Sequence, residues 1–145
     1  MYRKIVLAYD GSQEGQKALI NCKEMASWGD AEIHLISVIP EILGYPIGEG
    51  IFIDTEYQEI QNKKSQQQQL ENGVDLIKKE GIKCTGALLL GNSVKEISGY
   101  AARVSADLIV IGHKHLESVF ERWWAESITS KLVEDSPCSV LIIVT

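Results

Sequence analysis

Two short runs near the end of the chain, Leu108–Ile111 and Val140–Val144, are apolar at every position and are separated by a segment with helical spacing. A strand without a polar face has nothing to offer water, so it belongs in a sheet covered on both sides. That is the mark of parallel β-structure, and two such strands around a helix read as a βαβ unit. Ligands of such sheets bind at the carboxyl ends of the strands, where the chain turns toward the next helix. Gly112 stands at that point, so the polar, aromatic-rich loop after it is where function is expected.

The rest of the chain repeats the pattern. A first strand, Ile5–Tyr9, closes on Asp10-Gly11-Ser12. From Gln13 to Trp28, Ala18, Leu19, Cys22, Met25 and Ala26 share one helical face, and Trp28-Gly29-Asp30 stops that helix. A second strand, Ile33–Ile39, ends at Pro40. Residues 40–54 carry Ile42, Leu43, Tyr45, Ile47, Ile51 and Phe52 between glycines and prolines, too apolar for a free linker. A long helix from about Thr55 to Lys79 has Ile60, Leu70, Val74 and Ile77 for its inner face, and its Gln66–Gln69 run reads as solvated surface. Gly81 ends it. A third strand, Lys83–Leu90, leads through Gly91-Asn92 into a helix with Val94, Ile97, Ala101 and Val104 at helical spacing. Ser93 with Glu96 forms a capping box at its start. The final helix is expected from about Trp124 to Glu134. The order βαβαβαβαβ gives one doubly wound α/β domain over residues 1–145.

Composition limits the functions open to such a domain. With 145 residues, 45% hydrophobic and 23% charged, the chain is an ordinary globular domain. A net charge of −6 disfavours polyanionic partners, so neither nucleic acid nor an anionic membrane is expected. No apolar stretch reaches membrane-span length, and Met1-Tyr2-Arg3-Lys4 runs straight into a strand without a signal-peptide core. Three widely spaced cysteines, Cys22, Cys84 and Cys138, fit neither a disulfide framework nor a zinc site, and they suit a reducing cytoplasm. Cys22 and Cys138 read as small hydrophobes.

Asp10, at the carboxyl end of the first strand, faces the crevice beside strand four and should neighbour Gly112. A carboxylate there can accept from a ribose hydroxyl, hold a metal or cap the next helix; Asp10-Gly11-Ser12 is also plain turn chemistry.

Taken together, strand-Asp10-Gly11-Ser12, Gly91 before a capped helix, and Leu108-Ile-Val-Ile-Gly112…Ser127-Ile128…Ser136-Pro137-Cys138-Ser139-Val140 resemble the universal stress protein superfamily across essentially the whole chain. The resemblance implies an adenine-nucleotide alpha-hydrolase-like fold, a five-stranded parallel sheet in the order 3-2-1-4-5 with helices on both faces. It also implies a cytoplasmic homodimer joined through the last strand, Val140, Leu141, Ile142, Ile143 and Val144, whose backbone would otherwise stand open at the sheet edge.

Superfamily members that bind ATP resemble Gly-x2-Gly-x9-Gly-Ser/Thr after strand four, glycines admitting backbone amides to the phosphates and a hydroxyl adding one bond at a helix start. Here Gly112 matches the first glycine and Ser127 the hydroxyl residue, followed by Ile128. His115 and Glu126 take the places of the other two glycines, with ten residues between them. Glu126 sets a negative charge where a triphosphate would sit, which costs on the order of 1 kcal/mol or more near a surface. Lys114, His115 and Arg122 oppose it, since each can meet a phosphate with a side chain. By the same resemblance Asp10 contacts ribose, while Ala8 and Val38 line an adenine slot near Gly112. Tyr9 and Ile111 adjoin these positions.

Other chemistry does not assemble. His113-Lys114-His115 with Glu117 lacks a third metal ligand. Ser127, His115 and Asp10 lack a Gly-x-Ser-x-Gly elbow, so no catalyst is expected. Trp123-Trp124 either covers the sheet or anchors a protein partner, as does the 40–54 loop. The sequence therefore predicts a stress-response binding or signalling module with a partly degraded adenine-nucleotide site. The alternative is an ATP- or AMP-binding sensor in which Lys114, His115 and Arg122 replace the motif glycines.

Overall fold

Five apolar segments form five parallel strands: β1 (Lys4–Ala8), β2 (Glu32–Ile39), β3 (Cys84–Leu90), β4 (Leu108–His113) and β5 (Ser139–Val144). The computed structural model describes residues 2–9, 13–27, 29–39, 55–113 and 129–144. The strands lie in the order β3-β2-β1-β4-β5. Helices α1 (Gln13–Ser27), α2 (Thr55–Lys79) and α3 (Ser93–Val104) connect them, and helical residues 129–135, labelled α4, precede β5.

Alternation along each central strand splits the core in two. Ile5, Leu7, Ile33, Leu35, Leu108 and Val110 meet Ala18, Leu19, Cys22 and Ala26 of α1 with Leu70 and Ile77 of α2. Val6, Ile36 and Ile109 face the other way, onto Val94, Ile97 and Ala101 of α3 and Leu132 of α4. Ile5, Val6 and Leu7 are at most 1% exposed, so β1 has no solvent side. Each such side chain contributes roughly 1.5–3 kcal/mol by burial. The expectation of a sheet covered on both faces holds, and the strand bounds move by one or two residues: β4 runs on to His113, β1 and β2 begin one residue earlier, β5 begins at Ser139, while β1 stops at Ala8 and β3 starts at Cys84.

Local details depart from the sequence reading in four places. Ile60 is 51% exposed, whereas Leu70 is buried and Val74 packs against the core. Within the Gln66–Gln69 run, Gln66 turns inward, where its Oε1 accepts from the buried Ser37 hydroxyl at 3.3 Å. Gln67 and Gln68 instead donate along the helix to Glu71 and Asn72. The cap of α3 is Asn92, whose side chain accepts from the Lys95 amide at 3.1 Å, and not Ser93. The helix thus starts one residue earlier than the Ser93-Glu96 box would set it, and Asn is as good a cap as Ser. The left-handed residue after α1 is Asp30 (φ 55) and not Gly29, with the Ala31 amide returning to the Ala26 carbonyl.

Gly73 has a role that helical periodicity does not reveal. A Cβ there would lie 2.7 Å from Leu35 Cδ2 and 3.0 Å from Tyr9 Cε1. Both neighbours are buried, Leu35 at 0% and Tyr9 at 4% exposure, so neither has room to retreat. The strain of overpacking, roughly 1–3 kcal/mol, outweighs the gain in helix propensity of about 1 kcal/mol. Gly73→Ala should therefore lose about 1 kcal/mol in urea unfolding, against the stabilisation expected at an open helical site.

The amino end of the sheet is tied by Asp107, whose Oδ2 accepts from the Arg3 amide at 2.7 Å and the Lys4 amide at 2.8 Å. The Lys4 and Arg3 amide bonds hold its carboxyl below the ordinary 3.8. A depressed carboxylate pKa gives stability that is present above the unfolded value and is lost as pH falls through the folded one. Asp107→Asn should thus flatten the fall in stability below about pH 4. Denaturant midpoints measured between pH 2 and pH 6 check this.

Candidate functional site

The chain leaves β1 toward β2 and leaves β4 toward β5, so β1 and β4 flank the point where the winding reverses. Crevices open at that point in doubly wound sheets, outside the strand carboxyl ends. Ala8 lies there between Ile36 of β2 and Ile111 of β4. Ala8, Val38 and Ile111 are half-buried and pack on the α3 side, against the cluster of Val6, Ile36 and Ile109. Three of the expected site residues are thus brought to one face at the strand ends. Their surface is apolar, fit for an aromatic base and without a charge to meet a phosphate.

Tyr9 departs from expectation. Its ring belongs to the opposite cluster, with α1 and α2, and is 4% exposed. Its amide donates to the Ile36 carbonyl at 2.8 Å, and its hydroxyl accepts from Gln16 Nε2 at 2.6 Å. Alternation along β1 puts Ala8 on the site face and Tyr9 on the other, so the Tyr9 side chain does not line the slot.

Gly112 also differs in detail. β4 does not stop before it: Gly112 pairs with Ile143 and His113 with Val144. The loop starts after His113. Asp10, Lys114, His115, Arg122, Trp123, Trp124, Glu126, Ser127, Ile128 and the 40–54 loop lie outside the described residues.

At the sheet edge, β5 pairs with β4 alone among the described strands. Leu141 and Ile143 pack on the α1 side of their own sheet and Val140 on the α3 side, while Ile142 is half-buried. Val144 is 60% exposed, and Val133, on α4 just before the strand, is 56% exposed. Of the five expected interface residues, Val144 offers the most free side chain.

A polar cluster that the sequence did not flag lies toward the amino end of the sheet, away from the crevice. His34 Nδ1 is 3.1 Å from the Tyr100 hydroxyl and Nε2 is 3.1 Å from Glu32 Oε1. The rings of His34 and Tyr100 meet edge-on at 5.8 Å, and the Arg103 guanidinium stands 5.5 Å from the Tyr100 ring centre. These contacts fasten α3 to β2. The i, i+3 spacing of Tyr100 and Arg103 is the only sequence cue, since His34 is 66 residues from its partner.

The cysteines are unsuited to nucleophilic chemistry. Burial pushes the Cys22 thiol up to about 12 and the Cys84 thiol up to about 11, the latter against the Leu35 backbone bond and Lys78. Burial also raises Cys138, against a Ser136 hydrogen bond. Protonated thiols are poor nucleophiles and poor metal ligands. Among the described residues no three metal-ligating side chains cluster, and no helix is long and apolar enough to cross a membrane.

Comparison with known proteins places this geometry. A relative bearing the universal stress protein name in Staphylococcus saprophyticus is 29% identical, covering 99% of this chain and 84% of its own. The solved universal stress protein UspA of Lactobacillus plantarum superposes with a TM-score of 0.77 at 19% identity, over 98% of this chain and 97% of that one. A universal stress protein family member from Arabidopsis thaliana, solved with AMP bound, superposes with a TM-score of 0.70 at 19% identity, over 98% and 91% of the two chains. The sequence profile of the universal stress protein family matches residues 1–144. With a match over residues 1–144 and the 3-2-1-4-5 parallel sheet, the chain is a member of the universal stress protein family.

Proposed function

We propose that the chain is a cytoplasmic stress-response binding module that works as a homodimer through β5 and takes an adenine nucleotide of low phosphate charge, AMP in preference to Mg-ATP. The observation that carries this is the apolar floor of Ala8, Val38 and Ile111 at the switch point, which suits a base. The Arabidopsis relative of the same fold holds AMP. Asp10, two residues past the end of β1, takes the ribose hydroxyls, and Lys114 with Ser127 takes a single phosphate. His115 and Glu126, in the places of two motif glycines, remove the backbone cradle a triphosphate needs and add a like charge. No side-chain set in this reading performs hydrolysis, so its output is an altered surface for a partner.

Calorimetric titration of the nucleotide-stripped protein with AMP, ADP and ATP, with and without magnesium, tests the reading. It expects AMP to bind and ATP to bind more weakly. ATP binding tighter than AMP would instead favour the sensor in which Lys114, His115 and Arg122 replace the glycines. No binding of any of them to folded protein would reject a nucleotide role. Glu126→Gly should raise ATP affinity by about fivefold or more while moving AMP little, because relief of charge repulsion at the outer phosphates is worth on the order of 1 kcal/mol.

A further inference from the structure

Ile60, Lys63, Gln67 and Glu71 of α2 line a groove of about 570 Å³ together with Leu88 of β3. Gln67 and Glu71 continue into a second groove with Val74, which stands on β3: a Cβ at Gly86 would lie 2.8 Å from Val74 Cγ2. The five α2 residues follow one another at steps of three, four, four and three, so they form one stripe of the helix beside β3. We propose that this stripe is a self-association surface. On it α2 of a second copy packs antiparallel about a two-fold axis at Gln67, with Lys63 of each copy meeting Glu71 of the other.

The stripe is complementary to itself. Four positions either side of Gln67 the charges are opposite, Lys63 and Glu71, and seven positions either side both residues are apolar, Ile60 and Val74. In a two-fold contact residue i meets j wherever j meets i. An axis at Gln67 therefore makes two Lys63–Glu71 pairs and two Ile60–Val74 contacts from one stripe. A parallel pairing would set Lys63 against Lys63 and Glu71 against Glu71, so the charges also choose the direction. Lys63, Gln67 and Glu71 are exposed, as is Ile60 at 51%, and Gln67 Nε2 donates to Glu71 Oε1 at 3.0 Å, which keeps the carboxylate on the stripe. Beneath it, β3 pairs with β2 alone among the described strands, and its residues Cys84–Leu90 carry none of the charges that usually guard a sheet edge. β5 is at the opposite edge, so this contact is separate from the homodimer proposed there. The stripe is about 21 Å long on a helix about 10 Å wide, well short of the roughly 800 Å² a side of a standard interface. Two chains of net charge −6 also repel at long range. The association is accordingly weak, with a dissociation constant on the order of 100 μM.

Sedimentation equilibrium from about 5 μM to about 1 mM tests the proposal. The weight-average mass of the wild type should rise about 1.5-fold or more over that range, whether the chain starts as a monomer or as a β5 dimer. Lys63→Glu and Glu71→Lys should each weaken this association about tenfold, because both pairs across the two-fold turn repulsive. An equimolar mixture of the two variants should recover it, one copy being negative at both positions and the other positive at both. A mere effect of net charge would act oppositely in the two variants, since one adds to the negative charge and the other subtracts from it. A constant mass up to 1 mM would overturn the proposal. So would opposite effects of the two reversals, or a mixture that does not recover. Both residues are exposed, so the variants should fold like the wild type, which thermal melts verify.

Discussion

Asp10→Ala should lower the affinity for AMP by about 10- to 100-fold, the range expected when a charged acceptor is removed from hydrogen-bonded hydroxyls. The expectation comes from position. β1 is the central strand, buried on both faces, and its carboxyl end adjoins β4 at the reversal of winding. Asp10 is the first carboxylate after that buried strand. On the proposed reading the base would have an apolar floor in Ala8, Val38 and Ile111, and the ribose would have Asp10 alone among acidic residues at the strand's end. The loss should be carried by the ribose, so dideoxy-AMP should bind the variant and the wild type alike. Fluorescence competition against a labelled AMP measures both ratios. An AMP affinity within twofold of wild type would place the nucleotide elsewhere.

The second large effect concerns assembly. Val133→Glu with Val144→Glu should convert a dimer into a monomer while leaving the fold intact. Both side chains are more than half exposed in the single chain, so charging them costs the monomer little. β5 is an edge strand, and an edge left open invites pairing with a second copy. In a two-fold interface each substitution appears twice, so four carboxylates would face an apolar seam that has to shed water. Sedimentation velocity at micromolar concentration should show the mass of two chains for wild type and of one for the variant, with unchanged far-ultraviolet circular dichroism. A double variant that stays dimeric would move the interface off β5. A wild-type monomer would remove the dimer from the account.

The fold was legible because its signal is local and redundant. Runs such as Ile5-Val6-Leu7 and Leu108-Ile109-Val110 declare burial on both faces, and the glycine after α2 marks its end, Gly81 having a φ of 79. Ile60 misled because helical spacing marks a face but not how far along the helix that face is covered: Leu70 and Ile77 are buried, whereas Ile60 borders an open groove with Leu88 of β3. Gly73 was silent because its reason is a contact across 64 positions, with Tyr9. The α3 cap was read one residue late because Asn92 and Ser93 are both good caps and only geometry chooses between them. At the site, alternation along β1 was the neglected rule: neighbours in sequence, Ala8 and Tyr9, serve opposite faces. Residue type named the slot, and the pleat decided which residues line it.

The most direct test of the central claim is the pattern of backbone amide shift changes when AMP is added to isotopically labelled protein. The account predicts saturable changes centred on Ala8, Val38, Ile111 and Gly112, with the α2–β3 side of the sheet around Leu88 unmoved. Changes centred on Leu88, Ile60 and Lys64, which line a groove of about 570 Å³ on that other side, would contradict it.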